Sequence, residues 1–582
     1  MARETLRLTH NMEVSIQHVL RVGEGGVAVE LADETAALLD ERRAQIVAFV
    51  NDTHEPAYGF NRGFGHNVKL EVGPEGTEAL QVNLIRSHAS GVGPAAPREI
   101  VRCAMFLRAC SLARGHSGVR AVVVQRLLDC LNADIIPVVP RLGSVSASGD
   151  LAPLSHIALG IMGEGEVFVR DEREPKSAAV ALADAGIPPL RLEMKEGLAL
   201  NNGVQYTTAI GAYCLGRLEV LLKNACLATA LTTQVILGAD TPFRADLHEL
   251  RPHPGAKRVA RWIFDLMAGS PIREAHRPYE VDGEIQDPYN IRCAAQVLGA
   301  CAEILSRAAQ TLTVEMNSVT DNPLLLKATP EHGWDRRYDG KYLGQYVEIT
   351  SGGHFHGMPV AVEMYGLLQA MAMMARLSNM RCVRYVDEDR NKGLGSDLKW
   401  PGPTDDNQVM QVQATLSGMM IPEYVSAALT NWIWGLCMPS HLFSLSTDAG
   451  QEDHVSMAAN VALRVLDALP RLAETLAIEI AFAAQAAAIR KEMDHIPSRA
   501  HCGHCGTTKK RYPWKPHERM LNEVGEDVLR KVAESFPTVT KDRSFSNELQ
   551  ALATRVLDGT LIQVAEGRGC FRRDEMEDRP RH

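Results

Sequence analysis

The sequence predicts a mainly α-helical protein built around a bundle of long central helices. Apolar residues make up 46% of the 582-residue chain, which is enough for a large core. In one segment they recur with the three- and four-residue spacing of a helix face, at positions 291, 294, 295, 298, 301, 305, 308, 309 and 312. Similar patterns span 204–240, 356–385, 410–437 and 455–490. The first of these is apolar nearly all round, so we expect it to be central.

The breaks between these patterns predict three regions. Polar loops rich in glycine, proline or aspartate fall at 51–67, 142–151, 269–290, 328–353 and 386–409. Short alternating stretches at 26–31 and 166–170 predict small peripheral strands. A polar and basic break at 491–518 precedes two amphipathic helices at 519–535 and 544–565. We therefore divide the chain into an N-terminal region, a long-helix region and a C-terminal region, at 1–202, 203–490 and 491–582.

Charge and hydropathy argue against several classes of protein. The net charge is −10 with no long run of one sign, so we expect no nucleic-acid partner. The first residues lack the apolar core of a signal peptide, and we expect no membrane span and a cytoplasmic location. The twelve cysteines are then reduced thiols. The segment HCGHCG (501–506) holds one CxxC pair, Cys502 and Cys505, without the second pair of a structural zinc site. We therefore expect a polar loop and no metal there.

The stretch GSVSASGDLAPLSH (143–156) is the most unusual loop in the chain. One interpretation is an ordinary loop capped by Asp150 before a helix. Another is a nucleophile elbow, whose G-x-S-x-G pattern needs glycine two residues before and after the serine. The residues two away from Ser148 are Ser146 and Asp150, and those two away from Ser146 are serines, so neither serine fits. A serine hydrolase is therefore disfavoured.

The tripeptide Ala147-Ser148-Gly149 is suited to a different chemistry. Attack of the Gly149 nitrogen on the Ala147 carbonyl carbon would close a five-membered ring. Loss of two waters, one taking the Ser148 hydroxyl, would leave 4-methylidene-imidazol-5-one (MIO), an electrophile made from the chain itself. Glycine allows the tight backbone turn and alanine leaves its carbonyl accessible. The tripeptide alone is common by chance.

Several motifs in order make the MIO interpretation specific. They are YGFNRGFG (58–65), LQVNLIRSHASGVG (80–93), GHSGVR (115–120), GSVSASGDLAPLSHIALGIMGEGEV (143–167), EGLALNNG (196–203), IQDPYNIRC (285–293), EMNSVTDNPL (315–324), SGGHFHG (351–357) and AGQEDHVSM (449–457). Together the motifs resemble those of the aromatic amino acid ammonia-lyase and aminomutase family, which includes histidine, phenylalanine and tyrosine ammonia-lyases. The resemblance implies MIO formed from Ala147, Ser148 and Gly149, no metal, and a homotetramer with active sites shared between subunits.

The resemblance also implies roles for single residues. Tyr58 matches the catalytic base, a phenol that needs a positive local field to lose its proton near neutral pH. Arg292 matches the arginine that binds the substrate carboxylate with both guanidinium nitrogens. The other matches lie around the MIO ring, the carboxylate or the pocket: Tyr289 among the catalytic residues, and Asn202, Gln286, Phe355 and Gln451 as binding residues. Without the resemblance, Tyr58 would be a packed loop tyrosine and Arg292 a surface ion-pair partner.

Four positions bear on the substrate ring. Ser87 and His88 occupy the pair that selects the ring in this family. Ser-His is found in histidine lyases and in some tyrosine lyases and aminomutases. An ungapped alignment puts Trp432 where histidine lyases carry a glutamate, and His354 replaces the usual asparagine of GGNFHG. These departures favour tyrosine-like or ring-substituted phenylalanines, including O-methylated ones.

Two further readings of the substrate stay open, as does one non-catalytic reading. The protein could be a histidine ammonia-lyase that produces urocanate, or an aromatic amino acid 2,3-aminomutase that re-adds ammonia at the β-carbon. A catalytically dead helical scaffold is disfavoured, because the tripeptide, Tyr58 and Arg292 are all intact. The segment 327–349 matches nothing that we can assign.

Overall fold

The computed structural model describes residues 4–63, 69, 72–170, 172–277, 286–401, 414–496 and 512–571. The predicted HCGHCG loop, with Cys502 and Cys505, lies outside these residues. The helices of the first half are α1 Ile16–Gly23, α2 Asp33–Thr53, α3 Pro74–His88, α4 Arg98–Ala113, α5 Ala121–Asn132, α6 Leu151–Ile161, α7 Ala178–Asp184, α8 Glu196–Asn201, α9 Gln205–Val235, α10 Ala245–Glu249, α11 Pro254–Met267 and α12 Pro271–His276.

The second half continues the mainly α-helical architecture. Its helices are α13 Tyr289–Arg292, α14 Ala294–Met316, α15 Met358–Val386, α16 Met420–Leu436, α17 Ala458–Glu492, α18 Glu523–Ala533, α19 Ser546–Leu557 and α20 Thr560–Gly567. The mainly-α fold class predicted from the sequence is confirmed. The long helices agree with the predicted patterns to within a few residues, except that α16 begins at Met420 and 544–565 is divided into two helices.

The strands are short and pair locally. They are β1 Glu4–Leu8, β2 Val27–Leu31, β3 Val92–Ala95, β4 Ile135–Pro137, β5 Pro140–Leu142, β6 Glu166–Val169, β7 Lys176–Ser177, β8 Leu324–Leu326, β9 Glu348–Thr350, β10 His495–Ile496 and β11 Tyr512–Pro513. β1 and β2 are parallel, with Glu4 opposite Val27. The other described pairs, β3–β5, β4–β6–β7, β8–β9 and β10–β11, are antiparallel.

The chain forms two compact units, each made of three separate stretches. The first unit comprises Met1–Gly216, Arg307–Tyr365 and Met438–Val465, and the second comprises Arg217–Ser306, Gly366–Cys437 and Leu466–His582. Four of the five boundaries between these stretches fall inside long helices, and the fifth directly follows α16. The division into three consecutive regions stays a prediction.

A buried ion pair lies in the core of the second unit. Arg381 of α15 donates to Glu479 of α17 at 2.5 and 2.8 Å, and both side chains are fully buried. The hydroxyl of Thr232 in α9 donates to the same carboxylate at 2.8 Å. Paired charges with an additional hydrogen bond are the form in which charges are tolerated in a helical core. The pair fixes the facing positions of three long helices.

In the part of the chain that the structure describes, two helices, α15 and α17, are long and apolar enough to cross a membrane by length and composition alone. Their most apolar windows are 61% and 83% buried inside the protein, respectively. Burial of this kind is typical of core helices that are apolar on most sides.

Candidate active site

One buried carboxylate, that of Asp150, holds the loop between β5 and α6. Its Oδ1 accepts hydrogen bonds from Ser144 Oγ at 2.8 Å, Ser146 Oγ at 2.6 Å and Thr207 Oγ1 at 2.8 Å. Its Oδ2 accepts the backbone N–H of Thr207 at 2.8 Å. Burial raises the pKa of this carboxyl, and the hydrogen bonds oppose the rise. Asp150 thus anchors the loop internally and makes no side-chain cap on α6.

Ser146 connects the loop to two distant motifs. Its backbone is in the left-handed region, at φ +50°. Its carbonyl oxygen accepts hydrogen bonds from the N–H of Gly357 at 3.0 Å and from Ser456 Oγ at 2.6 Å. Its hydroxyl oxygen accepts the N–H of Ala459 at 3.1 Å. The motifs SGGHFHG and AGQEDHVSM are therefore both attached to the loop.

The tripeptide Ala147-Ser148-Gly149 follows directly. Ala147 is buried, and Gly149 has a φ of +82°. A Cβ atom on Gly149 would lie 2.2 Å from the backbone nitrogen of Gly203, so only glycine fits. Asn202 Nδ2 donates to the Ser148 carbonyl at 2.8 Å. The predicted neighbour Asn202 is therefore in direct contact with the tripeptide.

Glu452 is a site residue that the sequence reasoning missed. The Ser148 hydroxyl donates a hydrogen bond to its carboxylate. The other carboxylate oxygen accepts Thr447 Oγ1 at 2.6 Å. Glu452 stands in the motif AGQEDHVSM, beside the predicted Gln451, and that motif was the signal that could have revealed it. The structure thus places an acidic group at the tripeptide.

His88 lies at the end of α3 within the field of this acid. Its ring is half-buried, and Nδ1 is 3.0 Å from Ser87 Oγ. Burial lowers the pKa of His88, while the Leu84 carbonyl and the charge of Glu452 act in the opposite direction. A neutral imidazole, which has one donor and one acceptor nitrogen, is the form this environment favours near neutral pH.

Tyr58 is half-buried in the loop after α2. Gln81 ties this loop to the short helix α8, because its Nε2 donates to the Gly59 carbonyl at 3.2 Å and its Oε1 accepts the N–H of Leu198 at 3.2 Å. Asn202, at the other end of α8, holds Ser148. The six residues of α8 span about 9 Å at the usual helical rise. The Tyr58 loop and the tripeptide are thus fixed to opposite ends of one short rigid element.

Buried charged side chains lie at both ends of α8, with Lys195 directly before the helix and Arg108 bound to Asn202 directly after it. Lys195 donates to Asp321 at 2.7 Å, and both side chains are fully buried. Arg108 is also fully buried and donates to the Asn202 carbonyl at 2.9 Å and to Gln205 Oε1 at 2.7 Å. Burial lowers the pKa of Arg108 to about 10, so it stays charged near neutral pH. Burial lowers the pKa of Lys195, and the charge of Asp321 opposes this.

The remaining predicted residues of the first unit lie on the two motifs attached to Ser146. Phe355 is half-buried, whereas His354 and Gln451 are exposed. His356 Nε2 lies 3.0 Å from the carbonyl oxygen of His454, which joins the two motifs to each other.

The predicted carboxylate-binding residues gather in the second unit. Gln286, Tyr289 and Arg292 line a cleft of about 750 Å³. The guanidinium of Arg292 lies 4.9 Å from the centre of the Tyr289 ring, and Tyr289 is 70% exposed. Within the described part of the chain, Arg292 Nε is buried and has no hydrogen-bond partner. A guanidinium with open donors beside a cleft is suited to binding a carboxylate.

Comparison with known proteins settles the family. The model of the aromatic amino acid lyase family matches residues 14–506. The chain is 36% identical to the histidine ammonia-lyase of Gloeobacter violaceus over 561 residues, covering 96% of this chain and 97% of the relative. It is 37% identical to the histidine ammonia-lyase of Deinococcus radiodurans over 555 residues, covering 95% and 94%. The chain belongs to the aromatic amino acid lyase family. The resemblance drawn from its motifs is confirmed.

Solved structures agree with this assignment. Histidine ammonia-lyase from Trypanosoma cruzi aligns with a TM-score of 0.79 and 29% identity, covering 97% of this chain and 95% of that one. Tyrosine aminomutase from Streptomyces globisporus aligns with a TM-score of 0.82 and 28% identity, covering 98% and 99%. The protein is an ammonia-lyase, a carbon–nitrogen lyase, of this MIO-dependent family.

The residues of this lyase fit the MIO group. Gly149 has the left-handed backbone and the close backbone neighbour that ring closure requires of glycine, and Ala147 has a small side chain. Ala147, Ser148 and Gly149 would form the group, and Asn202 would hold it through the Ser148 carbonyl. Among the described residues, no cluster of three or more histidine, cysteine, aspartate or glutamate side chains could hold a metal ion.

The comparisons do not support the sequence argument against histidine as substrate. That argument rested on Trp432 standing where histidine lyases carry a glutamate and on His354 in place of asparagine. Trp432 lies on α16 in the second unit and is 60% exposed. The acid at the tripeptide is Glu452. It lies outside α16, so the ungapped alignment that selected Trp432 does not reach it. The assignment of Trp432 to the ring pocket stays a prediction.

We expect Gly149→Ala to abolish most of the lyase activity without unfolding the protein. The added methyl group would meet the Gly203 backbone and displace the tripeptide, and a shift of about 1 Å in an active site can cost about 100-fold in rate. Ammonia release from L-aromatic amino acids measures the loss. Gly567→Ala, where no atom lies within 4 Å of the added carbon, is the matched control. A Gly149→Ala enzyme with near-native turnover would contradict this account of the loop.

Proposed function

We propose that the protein is a histidine ammonia-lyase, which converts L-histidine to trans-urocanate and ammonia. The observation that carries the proposal is the Glu452 carboxylate at the tripeptide, acting on His88. The curated relatives support it, since those described above are named histidine ammonia-lyases. The proposal replaces the preference for tyrosine-like substrates drawn from the sequence.

Glu452 and His88 suit an imidazole better than a phenol. An imidazole presents two nitrogens at opposite edges of its ring, and an imidazolium presents two donors. A carboxylate accepts one of these N–H groups and stabilises the positive charge, while a neutral histidine or the adjacent Ser87 hydroxyl accepts the other. A positively charged ring also withdraws electrons from the β-carbon, so the β-proton becomes easier to remove. A phenol would leave the carboxylate without a cationic partner.

In this proposal, different residues carry out different parts of the reaction. Arg292, with Tyr289 and Gln286, binds the substrate carboxylate. Tyr58, as a phenolate, takes the β-proton. The MIO group supplies the electrophile that makes the amine a better leaving group. The β C–H bond and the α C–N bond break, a C=C bond forms, and ammonia leaves.

We also propose that the active enzyme is a homotetramer with shared active sites. Large apolar side chains are exposed along α16: Ile421 at 51%, Tyr424 at 57%, Val425 at 41%, Trp432 at 60% and Trp434 at 44%. Ile421, Val425 and Trp432 share one face of α16 by helical spacing, and an exposed apolar face of this kind favours a protein–protein interface. The cytoplasmic location stays a prediction, as does the absence of a nucleic-acid partner.

A substrate panel tests the reaction. We expect kcat/KM to be highest for L-histidine when compared with L-tyrosine, L-phenylalanine and methoxylated phenylalanines, with trans-urocanate identified as the product. Ser148→Ala should be inactive on all of them, because it removes the hydroxyl lost in ring closure. Highest efficiency on L-tyrosine would refute the histidine assignment, and a β-amino acid product would indicate an aminomutase.

Glu452→Gln tests the ring contact. Replacing the carboxylate by an amide should lower kcat/KM for L-histidine by roughly 10- to 100-fold, the size of a lost hydrogen bond to a charged group. L-phenylalanine, which has no ring N–H, is the control substrate, and its residual turnover should fall by less than twofold. Equal losses on both substrates would contradict the ring contact as the cause and would assign the effect of Glu452 to the tripeptide, whose Ser148 hydroxyl it binds.

The assembly is tested by light scattering after size exclusion. We expect a mass four times that of the 63.7 kDa chain. Trp432→Asp should lower this mass and the activity together, because it places a charge in the exposed apolar surface of α16. An active monomer would contradict the shared-site proposal.

A further inference from the structure

The segment 327–349, here called the aromatic segment, packs against the loop that carries Tyr58. Its buried side chains Trp334, Tyr342 and Val347 belong to one hydrophobic cluster. The same cluster contains Ala57 and Phe60, on either side of Tyr58. Residues with no assigned role thus form part of the support of the Tyr58 loop.

Three rings of the aromatic segment surround Phe49 near the end of α2. The ring of Tyr342 lies 5.0 Å from Phe49 and that of Tyr338 lies 5.7 Å away, both edge-on, and the Trp334 ring lies at 5.8 Å. Edge-to-face pairs at these separations are favourable beyond the area they bury. They fix the aromatic segment relative to the helix from which the Tyr58 loop emerges.

The aromatic segment also binds two carboxylates at the base of this loop. Asp52 accepts hydrogen bonds from Lys341 Nζ and from the Tyr342 hydroxyl. Glu55 accepts Arg337 Nη2 at 2.5 Å and the Tyr338 hydroxyl. Burial alone would raise the pKa of Glu55, but the Tyr338 and Arg337 hydrogen bonds overcome this and hold it below its usual range.

Asn61 continues the support from Glu55 to Tyr58. Its Nδ2 donates to the Glu55 carbonyl at 2.8 Å, and its Oδ1 accepts the N–H of Ala57 at 2.7 Å. Tyr58 also shares a cleft of about 560 Å³ with Trp334 and Arg337. The aromatic segment thus contacts the loop before Tyr58 and lines the space beside it.

We propose that the aromatic segment positions the catalytic base, with Tyr338 and Tyr342 as positioning residues that act through Glu55, Asp52 and the turn closed by Asn61. The inference rests on the proposed function, in which Tyr58 removes the β-proton. Tyr338 and Tyr342 themselves need not touch the substrate. Without their hydroxyl contacts the loop keeps its fold but holds the phenol less well.

The test compares Tyr338→Phe, Tyr342→Phe and the double variant with the native enzyme. Each substitution keeps the ring packing and removes only the hydroxyl donor. We expect kcat for L-histidine to fall about tenfold in the double variant, with KM changed by less than twofold, because misplacing a reacting group by even 1 Å can cost about 100-fold. The kinetic isotope effect with β-deuterated histidine should rise, since proton removal becomes more rate-limiting.

Arg336→Gln is the matched control, because Arg336 lies in the same segment with an 89% exposed side chain. It should leave kcat and the isotope effect unchanged. Substitutions of Glu55 provide a second test, in which the aromatic rings are left unchanged. Glu55→Gln keeps an acceptor for the Tyr338 hydroxyl and should retain more activity than Glu55→Ala.

Two outcomes separate this inference from the proposed function. If Tyr58→Phe is inactive while the double variant and Glu55→Ala keep the native kcat and isotope effect, the positioning role is overturned and the function stands. If Tyr58→Phe is fully active, Tyr58 is not the base, and the positioning role fails with the base assignment; the histidine assignment is decided separately by the substrate panel. An unchanged isotope effect together with a lowered melting temperature would assign the aromatic segment a purely structural role and would also overturn the inference.

Discussion

The candidate site depends on the burial of one charge. A carboxylate removed from water is stable only if its oxygens are saturated with donors, and Asp150 obtains them from its own loop and from α9. Satisfying this one group brings Ser144 and Ser146 inward and turns the loop back on itself. That turn directs the Ser146 carbonyl towards Gly357 and Ser456. The motifs that carry Phe355 and Glu452 are therefore arranged through the buried carboxylate of Asp150.

The short helix α8 positions both the Tyr58 loop and the tripeptide. Its N-terminal end is bound through Gln81 to the Tyr58 loop, and its C-terminal end continues into Asn202 and Gly203 at the tripeptide. The Tyr58 loop and the tripeptide are thus both held by one short element.

Much of this was predictable from the sequence, for identifiable reasons. The long helices are predictable from the periodic spacing of their apolar residues. The tripeptide is predictable from the residue types that ring closure requires. The start of α16 was not predictable, because the N–H groups of Ser417 and Gly418 are bound by Asp542, which is distant in sequence. Glu452 was overlooked although its motif was recognised, because a carboxylate in a loop shows its role only through its contact with Ser148. The support that 327–349 gives to the Tyr58 loop likewise depends on long-range packing that no local pattern encodes.

The contact between Ser148 and Glu452 bears on the order in which the MIO group forms and the substrate binds. The hydroxyl that occupies this carboxylate in the unmodified chain is the same one that ring closure expels as water. On the proposed chemistry, the acid first holds the departing group and only afterwards becomes available to the incoming imidazole. Before ring closure, the Ser148 hydroxyl would therefore occupy the Glu452 carboxylate. Loss of this hydroxyl as water would complete the MIO group and free the carboxylate for the substrate. On that proposal, maturation and substrate recognition would follow a fixed order, because both would use the Oε1 atom of Glu452 in succession.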